Sequence, residues 1–306
     1  MNAITVNNIF KTYGSKKETV KALDDISLHV KKGELFGIIG PDGAGKTSLF
    51  RILTTLLLAD SGTATVDDLD VIKDYKKIRN RVGYMPGKFS LYQDLTVEEN
   101  LEFFASIFNA GIEANYELIK EIYIQIEPFK DRRAGKLSGG MKQKLALCCA
   151  LIHKPSVLFL DEPTTGVDAV SRKEFWEMLK NLKRQGITIL VSTPYMDEAA
   201  LCDRVALMQS GKIMSIDTPG NIIKEFKRPM WSVRAAEMYR LLKDLKNYPN
   251  TESCNSFGEF HHLVLKGDDT DETKVKAYLQ GLQHEHIEIK KEQPNIEDRF
   301  MQLMQQ

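Results

Sequence analysis

"GPDGAGKT" (residues 40–47) decides how this chain is read. It fits G-x-x-x-x-G-K-[ST], and its surroundings are the ones that motif needs. Before it, "ELFGIIG" (34–40) is a short apolar run ending in glycine. After it, "KTSLFRILTTLL" carries helical spacing. Strand, glycine loop and helix start together aim backbone N–H groups, and about half a positive charge, at one point. Gly40, Gly43 and Gly45 let the backbone wrap tightly, with Pro41, Asp42 and Ala44 between them. Lys46 is placed to reach β- and γ-phosphates. Thr47 offers a hydroxyl to Mg²⁺, and Ser48 closes the loop.

A second stretch completes such a site. "SVLFLDEP" (156–163) is an apolar strand closed by two acids. Asp161 is positioned to hold Mg²⁺ through its water shell, and Glu162 to polarise a water for in-line attack on a γ-phosphate. Kinases, GTPases and motor ATPases share these features, so they imply a P-loop nucleoside triphosphatase without naming which.

Strand and helix patterns alternate further out. "TVEENLEFFASIFNAG" (96–111) has a capping box, Thr96 with Glu99, and an apolar stripe, with Gly111 expected to stop it. "SRKEFWEMLKNLKRQG" (171–186) reads as a helix with a Ser171/Glu174 box. "ITILVST" (187–193) is another buried strand. Apolar strands joined by helices indicate a mostly parallel α/β sheet. After the turn-rich "SIDTPGN" (215–221), short mixed elements predict a small α+β domain. The expected boundaries are 1–220 and 221–306, with a helical subdomain at about 88–153.

Composition excludes several classes. The 306 residues balance 42 Lys+Arg against 42 Asp+Glu, which gives no electrostatic reason to bind nucleic acid. The tail from residue 221 is also balanced, 13 basic against 14 acidic. Cys148, Cys149, Cys202 and Cys254 lack metal spacing and read as reduced thiols. "MNAITVNNIFKTYG" has no apolar signal-peptide core. No apolar run approaches the roughly 20 residues a membrane helix needs. Any membrane part of the system is expected on another chain.

"KLSGGMKQKLALCCALIHKP" (136–155) narrows the class. A serine and two glycines open a helix, which is a second anion site by the same physics. With this motif between the P-loop lysine and the strand-end acids, the chain resembles the ATP-binding-cassette (ABC) ATPases over residues 1 to about 220. The resemblance implies an α/β P-loop (RecA-like) cassette with a helical signature subdomain. It implies ATP and Mg²⁺ as ligands, and head-to-tail dimers in which each ATP lies between one P-loop and the other subunit's signature. It assigns Leu137, Ser138, Gly139 and Gly140 to the partner's nucleotide and Asp168, in "TTGVD", to the dimer seam. Tyr13, on a short N-terminal segment, falls where the family places an aromatic against adenine. "TVEENLEFFA", "TTGVDAVSR" and the "QPNIEDRFMQL" ending are similar to the bacterial type-2 exporter branch. That similarity implies a transmembrane permease on a separate chain and a position at the inner face of the cell membrane.

Two positions depart from the family pattern. The usual "GYMPQ" is here "GYMPG", with Gly87 in the glutamine's place; Lys88 and Gln93 are the candidates nearby for its role. The usual "STHYMDEA" is here "STPYMDEA", with Pro194 in the histidine's place. Proline offers neither a side-chain donor nor an N–H. As local structure it suits a helix start, with Thr193 as cap. The expectation is a chain that binds MgATP and pairs with a second cassette, of different sequence or else a second copy, while its own site hydrolyses slowly. Its alternative is a regulatory subunit with negligible turnover.

Overall fold

The structure is a computed structural model describing residues 1–15, 18–87, 91–267 and 271–305. The chain opens with a hairpin, β1 (Asn2–Ser15) and β2 (Glu18–Lys31), each of 14 residues. The segment carrying Tyr13 is therefore a long strand, not a short one. β3 (Leu35–Ile39) follows, then α1 (Lys46–Leu53), β4 (Ser61–Val66), β5 (Leu69–Asp70), α2 (Tyr75–Arg79) and β6 (Val82–Met85). A helical excursion holds α3 (Val97–Ile107), α4 (Ile112–Tyr123) and α5 (Gly139–Leu151). The chain then returns through β7 (Val157–Asp161), α6 (Ala169–Arg184), β8 (Thr188–Thr193), β9 (Arg204–Gln209) and β10 (Lys212–Asp217).

A six-stranded sheet in the order β10-β9-β3-β8-β7-β6 forms the centre. β9, β3, β8, β7 and β6 run parallel, and β10 pairs antiparallel at the edge. β3, β7 and β8 are buried along their whole length, as continuous apolar runs require in a sheet covered on both faces. A second, antiparallel sheet, β2-β1-β4-β5, lies in the same unit. Its Ile4, Val6, Ile26 and Val66 share one core with Phe50 of α1 and Phe159 of β7. The Phe50 and Phe159 rings meet edge-on at 6.0 Å, a favoured aromatic geometry. Fully buried β3 thus delivers the glycine loop at its carboxyl end.

Helix boundaries correct three local expectations. α3 has the predicted Thr96/Glu99 box, but it ends at Ile107 with Phe108 as its C-cap, and Asn109 lies in the left-handed region (φ 49°). Gly111 instead precedes α4 as its N-cap. α6 starts two residues before Ser171: Asp168 is the cap, and its Oδ1 accepts from the N–H groups of Val170 (3.1 Å) and Ser171 (3.0 Å). After β8 no α-helix begins at Pro194. A 3₁₀ segment, Met196–Leu201, begins after Tyr195, and Thr193 Oγ1 accepts from Tyr195 N at 3.1 Å.

Contacts divide the chain into Met1–Pro219 and Gly220–Gln306. The second unit holds α7 (Pro219–Lys224, spanning the boundary), β11 (Met230–Arg234), α8 (Met238–Asn247), β12 (Thr251–Phe257), β13 (Phe260–Leu265), α9 (Glu272–Gly281), β14 (Glu288–Glu292) and α10 (Ile296–Leu303). Its antiparallel sheet runs β12-β13-β11-β14. Trp231, Val233, Leu263 and Leu265 pack with Leu241, Leu245, Val275 and Leu279 of α8 and α9. Met230 and Val264, one step along their strands, form a separate cluster with Phe226, as two-residue alternation dictates. α10 carries an Asn295/Asp298 capping box, and Asp298 lies 2.7 Å from the His262 ring.

Candidate nucleotide site

The loop after β3 is held by contacts only glycine permits. A Cβ on Gly40 would lie 2.1 Å from Met208 O, and one on Gly45 would lie 2.2 Å from Ala22 O. Gly45 also has φ 105°, a conformation L-residues avoid. It caps α1 without a side chain, and the first turn has no acid, so the helix N-terminus is open to an anion. Lys46 is buried, donating to Gly40 O (2.7 Å) and Pro41 O (3.0 Å). Its Nζ lies 3.1 Å from Glu162 Oε1. The hydroxyls of Tyr13 and Ser48 are 3.2 Å apart at the rim.

Thr47 Oγ1 donates to Asp161 Oδ1 at 3.3 Å. This pairs two hard oxygen donors, a set that suits Mg²⁺. Ser192, which the motifs did not single out, organises both acids. Its buried hydroxyl donates to Asp161 Oδ1 at 2.6 Å and accepts from Glu162 N at 3.0 Å, while its carbonyl accepts from the same N–H at 3.0 Å. Its one sequence signal is a hydroxyl residue at the carboxyl end of a fully buried strand. Glu162 sits at φ 51°, a strained conformation for a non-glycine residue and one that clusters at functional sites. The Tyr84 phenol is pushed up to about 12, by burial first and the Asp161 charge second. It therefore stays neutral.

Position 194 is pinned beside this site. Gly40 N donates to Thr193 O at 3.2 Å, so the residue after Thr193 adjoins the loop's entry, and Ser192 ties the same strand end to Glu162. Gly87 approaches from the other side: a Cβ there would lie 3.0 Å from Asp161 O and 3.9 Å from Glu162 Cβ. Gln93 and Glu162 line one cleft of about 430 Å³ with Gly87, and the Gln93 amide donates to Leu91 O at 3.3 Å. Lys88 lies outside the described residues.

Of the signature, Gly139 lines the same cleft as Gly87, Gln93 and Glu162. Ser138 caps α5, accepting from Met141 N at 3.3 Å, and Leu137 is buried. A Cβ on Gly140 would lie 2.6 Å from Ser171 Oγ, and one on Gly139 3.8 Å from Gly166 O. Gly140 thus neighbours the start of α6, and Gly139 the loop before it. Asp168 is exposed there, and hydrogen bonds from Ser171 hold its carboxyl below the usual carboxylate range.

A family model described as ABC transporter matches residues 23–165. The daunorubicin resistance ATP-binding protein DrrA2 of Streptomyces coeruleorubidus is 35% identical over 311 residues, covering 98% of this chain and 94% of that protein. The chain belongs to the ABC transporter family. The probable multidrug ABC transporter ATP-binding protein YbhF of Escherichia coli (strain K12) is 38% identical over 305 residues. That match covers 98% of the cassette chain but 52% of YbhF, so the chain spans about half that relative's length. Nod factor export ATP-binding protein I of Burkholderia lata is 38% identical over 224 residues, 72% of each chain. Among solved structures, a dimeric ATP-binding cassette in a post-hydrolysis state, bound to ADP and Pi, superposes with TM-score 0.64 at 26% identity. It covers 70% of this chain and 98% of that one. The P-loop cassette fold and the resemblance to drug-resistance and export ATP-binding proteins follow from these matches.

Proposed function

We propose that this chain is the ATP-binding subunit of a membrane exporter, with a nucleotide site that binds MgATP and turns it over slowly. The observation that carries the reading is the strand end Ser192–Thr193, tied to Glu162 N and Gly40 N, which puts Pro194 one residue beyond, with Gly87 beside Asp161. Two positions next to the acids offer no side-chain donor. Losing one preorganised donor costs roughly 10²–10³ in rate.

In this reading Gly40–Ser48 cradle the phosphates and Tyr13 supports the adenine. Thr47 and Asp161 are the residues that would hold Mg²⁺, which when bound neutralises phosphate charge. Glu162 accepts the proton of the attacking water. Without nucleotide its carboxylate is tied to Lys46, so transfer of Lys46 to the phosphates releases the base. Leu137–Gly140 complete the nucleotide site of a second cassette, and Asp168 lies at the seam. The intact signature favours a heterodimer in which hydrolysis occurs mainly at the partner's P-loop; a homodimer with two slow sites is the alternative. Among the described residues no helix is long and apolar enough to cross a membrane, in keeping with a permease on a separate chain and docking at the inner face. The small C-terminal domain is an accessory to the cassette.

ATP turnover of the purified chain, alone and with a cassette carrying the usual Gln and His, tests this. Fast hydrolysis by the chain alone, abolished by Glu162→Gln, overturns the slow-site reading. No turnover by the mixed pair favours a purely regulatory subunit, a reading that the strained, retained Glu162 opposes.

A further inference from the structure

We propose that Arg172 is a positioning residue that couples the surface serving the partner's nucleotide to the Pro194 segment of the chain's own site; this rests on the dimer reading above. Arg172 lies in the first turn of α6, next to Ser171, the residue against which Gly140 packs. Its guanidinium lies over the Tyr195 ring at 4.1 Å. Its Nε is 3.7 Å from Glu198 Oε1, and its Nη1 is 3.8 Å from Asp197.

Glu198 is the unusual member. Its side chain is 1% exposed, and a buried carboxylate needs a counter-charge. Oε1 accepts from Thr164 Oγ1 at 2.8 Å, whereas among the described residues neither Oε2 nor Arg172 Nε has a hydrogen-bond partner. Thr164 lies two residues after Glu162, in the loop leading to Asp168. One cluster therefore ties three segments together: the loop after the acids, the start of α6, and the 3₁₀ turn behind Pro194.

At 3.7 Å the Arg172–Glu198 pair is an ion pair outside hydrogen-bond range. A sub-ångström approach of the two segments converts it into a charge-assisted hydrogen bond and gives the buried Arg172 Nε its acceptor. Docking a second cassette at Gly139, Gly140 and Asp168 presses on α6 at this point. The geometry thereby moves the Pro194 segment with the seam, through a contact independent of the residue at 194. Tyr195 adds a flat face that guanidinium stacks on and lysine does not.

Hydrogen exchange on the full chain tests the anchor. Arg172→Ala is expected to speed exchange of amides 195–201 and 164–168 by about tenfold or more, with the strands Leu35–Ile39 and Val157–Asp161 unchanged. Arg172→Lys recovers only part of the protection. If Arg172→Ala folds poorly, the Arg172→Ala/Glu198→Gln double variant removes the stranded charge, and the same local acceleration is expected. Unchanged exchange at 195–201, or a uniform rise across the strands, overturns the proposal. In a second arm, MgATP-driven association is measured in a Glu162→Gln background. Association that survives Arg172→Ala undiminished overturns the coupling. If the Arg172-containing parent does not associate, the dimer reading fails and the coupling with it, while the exchange arm still decides the anchor.

Discussion

Substituting Pro194→His is the sharpest perturbation of the proposed mechanism. The position follows Thr193, whose carbonyl accepts from Gly40 N at 3.2 Å, and Ser192 fixes the same strand end to Glu162. A histidine there starts beside the loop entry with its backbone already placed. If one preorganised donor is what is missing, restoring it raises turnover by about 10²-fold, the lower end of the effect of such a donor, since position 87 still has no side chain. The fold tolerates the change: replacing a proline releases unfolded-state entropy worth about 0.4–1 kcal/mol, small beside a stability of about 5–15 kcal/mol. Adding Gly87→Gln raises turnover further. Its Cβ, 3.0 Å from Asp161 O, requires a loop shift of a few tenths of an ångström. Phosphate release at saturating MgATP is the assay, with nucleotide binding and urea denaturation as controls. A folded, MgATP-binding Pro194→His chain with unchanged turnover refutes the reasoning.

Glu162→Gln removes the counter-charge 3.1 Å from buried Lys46. The nucleotide-free chain is expected to lose about 1–3 kcal/mol, and MgATP, supplying new negative charge, gives a larger rise in Tm than in the parent. Gly45→Ala meets Ala22 O at 2.2 Å with φ 105° and is expected to cost more than about 3 kcal/mol. Gly43→Ala, with nothing within 4 Å and φ 79°, costs about 1–2 kcal/mol; urea midpoints separate the two. Acid weakens the fold through His153, which stacks 3.8 Å from the Phe108 ring. Burial holds its pKa below the ordinary 6.5. The unfolded chain takes up a proton that the folded chain refuses, so stability is lost as pH falls below that value. His153→Phe is expected to flatten the drop in urea midpoint between about pH 7 and pH 5.

Much of the site was legible in the sequence because its chemistry is local. "GPDGAGKT" between a strand and a helix specifies a phosphate cradle through spacing and backbone freedom alone. The same holds for two acids closing an apolar strand and for a serine and two glycines opening a helix. The alternation of buried strands and helices determined the parallel sheet. The tertiary structure decided what depends on distant partners. It paired β1 with β4, placed the polar edge strand β12, and ended α3 at Ile107. It also replaced the expected helix after Pro194 with a 3₁₀ turn. It brought Ser192 onto Asp161 and Glu162 from 31 and 30 residues away, and Arg172 onto Tyr195 and Glu198. Spacing rules reach only as far as one turn or one hairpin. A hydroxyl bridging one acid's carboxylate and the next residue's N–H, or a charge buried against a neighbouring helix, exists only once packing has removed the water between segments that are remote in the chain.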